Sequence, residues 1–281
     1  MNIEFGMPTL IELAGLEENA KLCNGLGLKF IELNMNLPQY QVEILKNSRM
    51  FQDISKEYKV YYTIHLDENL NISDFNNAVT KAYLDTVKQS LLFAKELGIP
   101  LLNMHLSRGV YFTLPDQKVF LFDKYRDIYL KNIQYFKVMC ETMIGGEGIN
   151  ISIENTDGFT TFQKEAMDIL LDSSIFTLTW DIGHSHSASK VDEKYIMQNE
   201  CKLKHFHIHD AMGKQNHLTL GEGNINLLEK LNIATRNHCR CVIETKTVAS
   251  LQESLNWLVT HWSNKEMQVD KLKAPTGTFF L

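Results

Sequence analysis

Apolar residues alternate along the chain between two textures. Short runs rich in branched and aromatic side chains are separated by longer segments with apolar positions spaced as on one face of a helix. The short runs read as strands and the longer segments as amphipathic helices. Strands are predicted at residues 2–6, 28–34, 59–66, 99–106, 149–154, 176–182, 203–209 and 240–245. The third is the plainest, with Val60, Tyr61, Tyr62, Thr63 and Ile64 in succession. Helices are predicted at 16–26, 41–57, 75–97, 122–144, 161–171, 192–200, 225–235 and 251–262, with Gly27, Gly98 and Gly145-Gly146 where helices stop.

Strands that alternate with helices form a parallel sheet with crossover helices. Eight such units favour a closed (β/α)8 TIM barrel over an open doubly wound sheet. No Gly-x-Gly-x-x-Gly follows the first strand, which weighs against a dinucleotide-binding fold. Residues 1–281 therefore read as a single barrel domain, with 263–281 as a C-terminal tail that carries Pro275, Gly277 and Phe279-Phe280-Leu281. The tail packs on the barrel or on a neighbouring subunit in this reading, so a homo-oligomer stays open. The connection 107–121 is long for a barrel and holds Arg108, Tyr111, Phe112, Pro115 and Phe120. It reads either as a lid or subunit contact over the catalytic face, or as a small hairpin with its aromatics on the rim.

Composition narrows the class. The 281 residues are 44% hydrophobic and 22% charged, with a formal net charge of −6. That is the composition of a soluble globular protein, and without a long basic run a nucleic-acid partner is disfavoured. No apolar run approaches the roughly 18 residues of a membrane span. The first residues lack the charged and apolar regions of a signal peptide. The five cysteines, odd in number, suggest reduced thiols and a cytoplasmic location. Cys239 and Cys241 read as buried small apolar residues rather than metal or redox groups.

Histidines carry the chemistry. His205, His207 and His209 alternate, and His217 follows, so four of ten histidines fall within thirteen residues. Alternation in a strand puts the first three on one face. Beyond this cluster, Glu32, His65, His105, Glu154, Asp181 with His184, His207 and Glu244 stand at or near the ends of seven successive predicted strands. Carboxylates converging on one rim would repel and lose solvation, a problem that a cation removes. Mixed imidazole and carboxylate donors suit Zn²⁺ or Mn²⁺, with Co²⁺ or Fe²⁺ as further candidates, better than Ca²⁺. The number of donors allows one or two ions.

Five stretches carry a resemblance: Ile153-Glu154-Asn155-Thr156, Trp180-Asp181-Ile182-Gly183-His184, His207-Ile208-His209-Asp210, the run from His217 to Ile225, and Ile243-Glu244-Thr245. In order and spacing the chain resembles the xylose isomerase-like TIM-barrel superfamily, which includes the sugar-phosphate isomerase/epimerase family and the related endonuclease IV family. The resemblance makes Glu154, Asp181, His207 and Glu244 the ligands of a principal metal. It makes His65 and His105 ligands of a second, with Glu154 as the bridge. His184 and His217 match two of three ligands of a third metal in endonuclease IV, but Gln215 stands where that family has aspartate. The stretch 34–40 lacks the arginine used there for DNA, and Glu68 replaces an aromatic.

The implied activity is a metal-dependent sugar or sugar-phosphate isomerase/epimerase on a polyol or sugar substrate, with proton transfer next to a metal-bound carbonyl. Glu154 and Glu244 would be the catalytic pair. Glu32, His184, His209 and Arg108 are expected at the substrate, and Trp180 either lines the pocket or lies buried beneath it. The alternatives are an endonuclease IV-like phosphodiesterase on abasic DNA and a metal-dependent dehydratase or aldolase on a polyhydroxy substrate.

Overall fold

The computed structural model describes residues 3–262. Asn2 and the tail 263–281, both included in the sequence reading, lie outside the described residues. Eight parallel strands close a barrel: β1 (Glu4–Pro8), β2 (Phe30–Asn34), β3 (Tyr61–His65), β4 (Leu101–His105), β5 (Asn150–Glu154), β6 (Phe176–Asp181), β7 (Leu203–Ile208) and β8 (Arg240–Ile243). Each strand pairs with the next in sequence, and β8 returns to β1. The surrounding helices are α1 (Leu16–Gly25), α2 (Ser48–Tyr58), α3 (Asn77–Leu97), α4 (Arg126–Ile144), α5 (Thr161–Leu171), α6 (Glu193–Gln198), α7 (Leu227–Arg236) and α8 (Val248–His261). No helix among the described residues is long and apolar enough to cross a membrane.

Strand alternation separates two interiors. Ile31, Leu33, Ile64, Leu102, Met104, Ile151, Ile153, Leu178, Trp180, Phe206 and Ile208 are buried between the strands and the helices. Trp180 thus faces away from the barrel axis, with its ring against Phe206 and under the Lys230 ammonium. The opposite face of the same strands is polar and equally buried: Glu32, Thr63, Asn103, Ser152, Glu154, Thr179, Asp181, His205 and His207. At one end of this polar column the Phe30 ring occupies the space that a side chain on Gly6 would need, since a Cβ there would lie 2.5 Å from the ring. Phe30 and Gly6 are level in the β1–β2 register.

Several predicted boundaries move. The helix predicted at 41–57 breaks into Val42–Leu45 and α2, because Lys46-Asn47-Ser48-Arg49 offers no apolar side chain to hold a continuous stripe against the core. The helix predicted at 122–144 divides at Tyr125 into Leu121–Lys124 and α4. The α3 helix begins at Asn77, where the Asn76 side chain accepts from the Ala78 backbone N–H and sets its start. Within 107–121 the structure forms the hairpin, Tyr111–Thr113 against Lys118–Phe120; Phe120 packs on Phe162 while Tyr111 and Phe112 stay exposed. Two features were not read from the sequence: a short helix, Ile182–Ser187, and a second hairpin, Asp210–Met212 against Gln215–Leu218. Cys239 and Cys241 are buried, and burial pushes the Cys239 thiol up to about 12.

Candidate metal centre

Four side chains converge at the carboxyl end of the strands. Glu154 ends β5, Asp181 ends β6, His207 is the penultimate residue of β7, and Glu244 follows β8. One donor atom from each lies within 4.8 Å of the other three. His207 Nδ1 stands 3.0 Å from Glu154 Oε1, 3.2 Å from Glu244 Oε2 and 4.0 Å from Asp181 Oδ2. Register explains the convergence: Asp181 is level with His207 on the neighbouring strand, and His105 is level with Glu154.

The Glu154 carboxylate joins two groups. Its Oε2 lies 3.2 Å from both His65 Nε2 and His105 Nε2, whose rings meet edge to face at 5.0 Å. The Asn103 amide also donates to Oε2. Asn103 is itself held by Thr179, whose Oγ1 is 2.6 Å from Asn103 Oδ1 and 2.7 Å from Ser152 Oγ. Three neutral polar side chains thus support the carboxylate from within the barrel.

Asp181 is fixed more rigidly. Its Oδ1 accepts the His184 backbone N–H at 2.6 Å and so caps the helix Ile182–Ser187. Its backbone N–H donates to Asn155 Oδ1 at 2.9 Å, and the Asn155 amide donates back to the Asp181 carbonyl at 2.9 Å. His209 Nε2 approaches the carboxylate at 3.1 Å. The His217 backbone N–H donates to His209 Nδ1 at 2.8 Å. That bond makes Nδ1 an acceptor and leaves Nε2–H to donate to Asp181.

The charges are balanced by imidazoles. His207 is held well above the usual histidine range: burial alone would lower it, and Glu154, Glu32 and Glu244 outweigh burial. Burial also opposes the proton on His65, yet the Glu154 carboxylate raises it to about 9. Burial raises Glu154 and Glu244 in isolation, but His207 holds both below the carboxylate range. His217 moves the other way, down to about 4, because burial dominates. One oxygen, Glu244 Oε2, is buried and has no hydrogen-bond donor among the described residues. Buried carboxylates gathered around one imidazole nitrogen, with an unpartnered oxygen aimed among them, fit a divalent cation. Their spacing needs only small movements to place donors roughly 2.0–2.2 Å from one centre. His65, His105 and the second oxygen of Glu154 are placed to hold another.

The remaining expected residues fall in three places. His184 and His217 stand on the outer rim, with ring centroids 5.3 Å apart. His184 Nε2 is 3.9 Å from Asp181, and His217 Nδ1 is 3.2 Å from the Glu244 carbonyl oxygen. His209 lies near them, but Asp181 and the His217 backbone engage its two nitrogens. Gln215 is exposed on the hairpin. Arg108 donates to the Gly158 carbonyl and lies 3.7 Å from Asp157, so it ties two rim loops together. Glu32 lies below His207 in the polar column, buried against His205, His207 and Thr63. Glu68 accepts from the Asn36 amide at the mouth. Sequence reasoning missed Asn103 and Lys246. The first gives no signal beyond an inward strand position; the second, two residues past Glu244, places Nζ 3.0 Å from Glu244 Oε1.

Comparison with known proteins agrees with this architecture. An uncharacterized protein of Methanocaldococcus jannaschii is 27% identical over 198 residues, a match that spans 66% of this chain and 64% of that protein. A solved D-tagatose 3-epimerase-like protein superposes with a TM-score of 0.74 at 22% identity, covering 92% of this chain and 97% of its own. An IOLI protein with a bound zinc atom superposes with a TM-score of 0.69 at 13% identity, covering 92% and 97%. At these identities the structural likenesses establish the fold. The model of the xylose isomerase-like TIM barrel family matches residues 20–261 and the eight strands close into a barrel, so the chain belongs to that family.

Proposed function

We propose that the protein is a divalent-metal-dependent epimerase or isomerase of a keto sugar or its phosphate. The observation that carries this reading is that Glu154 and Glu244, from strands on either side of β7 in the barrel, both reach His207 Nδ1, at 3.0 and 3.2 Å. Each turns one oxygen to the centre and keeps the other free of it. A cation held by Glu154, Asp181, His207 and Glu244 would supply Lewis-acid polarisation of a carbonyl and so acidify the adjacent C–H. Glu244, from one side, is the base that takes this proton, with Lys246 steadying its outer oxygen. Glu154 returns a proton to the opposite face, and His65 and His105 stand beside its outer oxygen to share it. His184 and His217 on the rim are the candidates for hydrogen bonds to sugar hydroxyls. The D-tagatose 3-epimerase-like protein and the zinc-bearing IOLI protein share this fold and support the choice of substrate class and of Zn²⁺ as the first metal to test.

The test is incubation of zinc-loaded and manganese-loaded protein with D-tagatose and other ketohexoses in D₂O. The expected product is an epimer or isomer with deuterium at the carbon that was deprotonated. Loaded protein that neither interconverts any of these sugars nor exchanges their protons with solvent would remove the reading.

One observation favours a second reading. His65, His105 and the bridging Glu154 make room for a second ion, the arrangement used for in-line phosphodiester hydrolysis. Against it, Gln215 cannot act as a carboxylate ligand, and Glu68 at the mouth would repel a phosphate backbone. Cleavage of an abasic duplex by the loaded protein decides between the two.

A further inference from the structure

We infer that Glu32 is a positioning residue: it fixes the ring orientation and tautomer of His207, so that Nδ1 presents a lone pair to the metal centre. The inference rests on the metal-centre reading above. It replaces the sequence expectation that Glu32 reaches a substrate hydroxyl.

The two nitrogens of His207 face opposite partners. Nδ1 looks up to Glu154, Asp181 and Glu244 and is hydrogen-bonded to Glu154, whereas Nε2 lies 2.7 Å from Glu32 Oε1, an ion-pair contact not aligned as a hydrogen bond. A cation at Nδ1 needs the lone pair there, so the one proton that His207 then keeps must sit on Nε2. On Nδ1 it would bond to Glu154 and leave no lone pair for a cation; on Nε2 it faces Glu32 and leaves Nδ1 as a ligand. The Glu32 carboxylate stabilises a proton on Nε2, while Glu154, Asp181 and Glu244 gather where a cation would replace the proton on Nδ1. Metal-bound histidines commonly donate their other N–H to a carboxylate in this way, which also raises ligand basicity.

Glu32 itself cannot turn elsewhere. It is 3% exposed. Its Oε2 accepts from Thr63 Oγ1 at 3.0 Å and pairs with His205 Nε2 at 2.9 Å. Thr63 is level with Glu32 on the adjacent strand, and His205 precedes His207 by two residues on the same strand face. Below them the Phe30 ring, 6.1 Å from that of His205, closes the column. No lysine or arginine forms an ion pair with Glu32 among the described residues. A buried carboxylate without a cationic side chain is costly unless it is fully hydrogen-bonded and has work to do. Here its two charged-group contacts are both imidazoles, and one of them belongs to the centre.

The experiment uses the full chain, stripped of metal and titrated with Zn²⁺ against a chromophoric chelator, then with Co²⁺ followed by visible absorption. Wild type is compared with Glu32→Gln, which keeps the volume and removes the charge, and with Thr63→Val, which removes the hydroxyl that steadies Glu32. Circular dichroism checks the fold. Glu32→Gln is expected to weaken Zn²⁺ binding by about 10–100-fold and to change the Co²⁺ spectrum. Thr63→Val should do the same to a smaller extent. A merely structural role would lower the melting temperature and leave the Co²⁺ spectrum of the folded protein as it was. Wild-type affinity and spectrum in folded Glu32→Gln would overturn the inference. Should that variant fail to fold, wild-type behaviour in Thr63→Val would overturn it. A wild-type protein that takes up neither ion would overturn the metal-centre reading itself, and that outcome is read before any variant is made.

Discussion

At Gly183 the centre comes nearest to steric conflict. A Cβ there would fall 1.9 Å from His209 Cε1, so the ring that donates to Asp181 occupies the space a side chain would take. Gly183→Ala should push His209 off Asp181, destabilise the fold by about 1–3 kcal/mol in urea unfolding, and weaken metal uptake. Unchanged stability and uptake would show that the approach is not needed. Glu244→Gln tests the chemistry at the same scale. It should leave a folded protein and lower turnover of the true substrate by at least about 10²-fold, the span of general-base catalysis. Much of this scale was legible. Asp181 and Gly183 lie in one short motif, as do His207 and His209. What the motif could not show is that Asp181 both faces the centre and caps the following helix, because a cap depends on backbone angles that spacing does not reveal. The resemblance set His207 apart as a ligand and His209 as a substrate-side residue; what it could not show is that the His217 backbone N–H leaves His209 to serve Asp181.

At the scale of elements, the rim loops are tied by a buried carboxylate. Asp192 is buried at the start of α6, and its Oδ1 accepts the Phe159 backbone N–H at 2.6 Å, which fastens the β5–α5 loop to the segment after β6. Its other oxygen has no hydrogen-bond partner among the described residues. Burial raises its pKa, opposed by the Phe159 hydrogen bond and by Lys164 and Arg108. A carboxyl group with a raised native pKa destabilises the fold once the unfolded chain ionises, near pH 3.9, and the cost is complete above the native pKa. Asp192→Asn keeps the acceptor and removes the charge. Its melting temperature should therefore exceed that of wild type at pH 7, and the difference should vanish below about pH 3.9. A lower melting temperature at pH 7 would mean that the charge is stabilised by Arg108 after all. The strands were legible because each has an unbroken apolar outer face. The breaks at residues 46–47 and 125 were not, since propensity tolerates helix there and packing does not require it. The hairpin at 111–120 was one of two readings of its loop, whereas the one at 210–218 lacks the Asn-Gly or Asp-Gly signal that marks a tight turn.

At the scale of the molecule, eight repeats of strand and helix announced the barrel, and closure of β8 on β1 agrees. The polar column inside it was less legible. Thr63, Asn103, Ser152 and Thr179 read in the sequence as polar interruptions of strands; only closure shows that they stack beneath the centre and steady its ligands. The function proposed for the barrel requires that this column end in a metal. The direct measurement is the metal content of purified protein, stripped, reloaded with Zn²⁺ or Mn²⁺ and freed of excess, beside Glu154→Gln/Glu244→Gln. At least one equivalent is expected in the wild type, and loss of that equivalent in the double variant. Wild-type protein that retains no metal, or a double variant that retains as much, would contradict the proposed function.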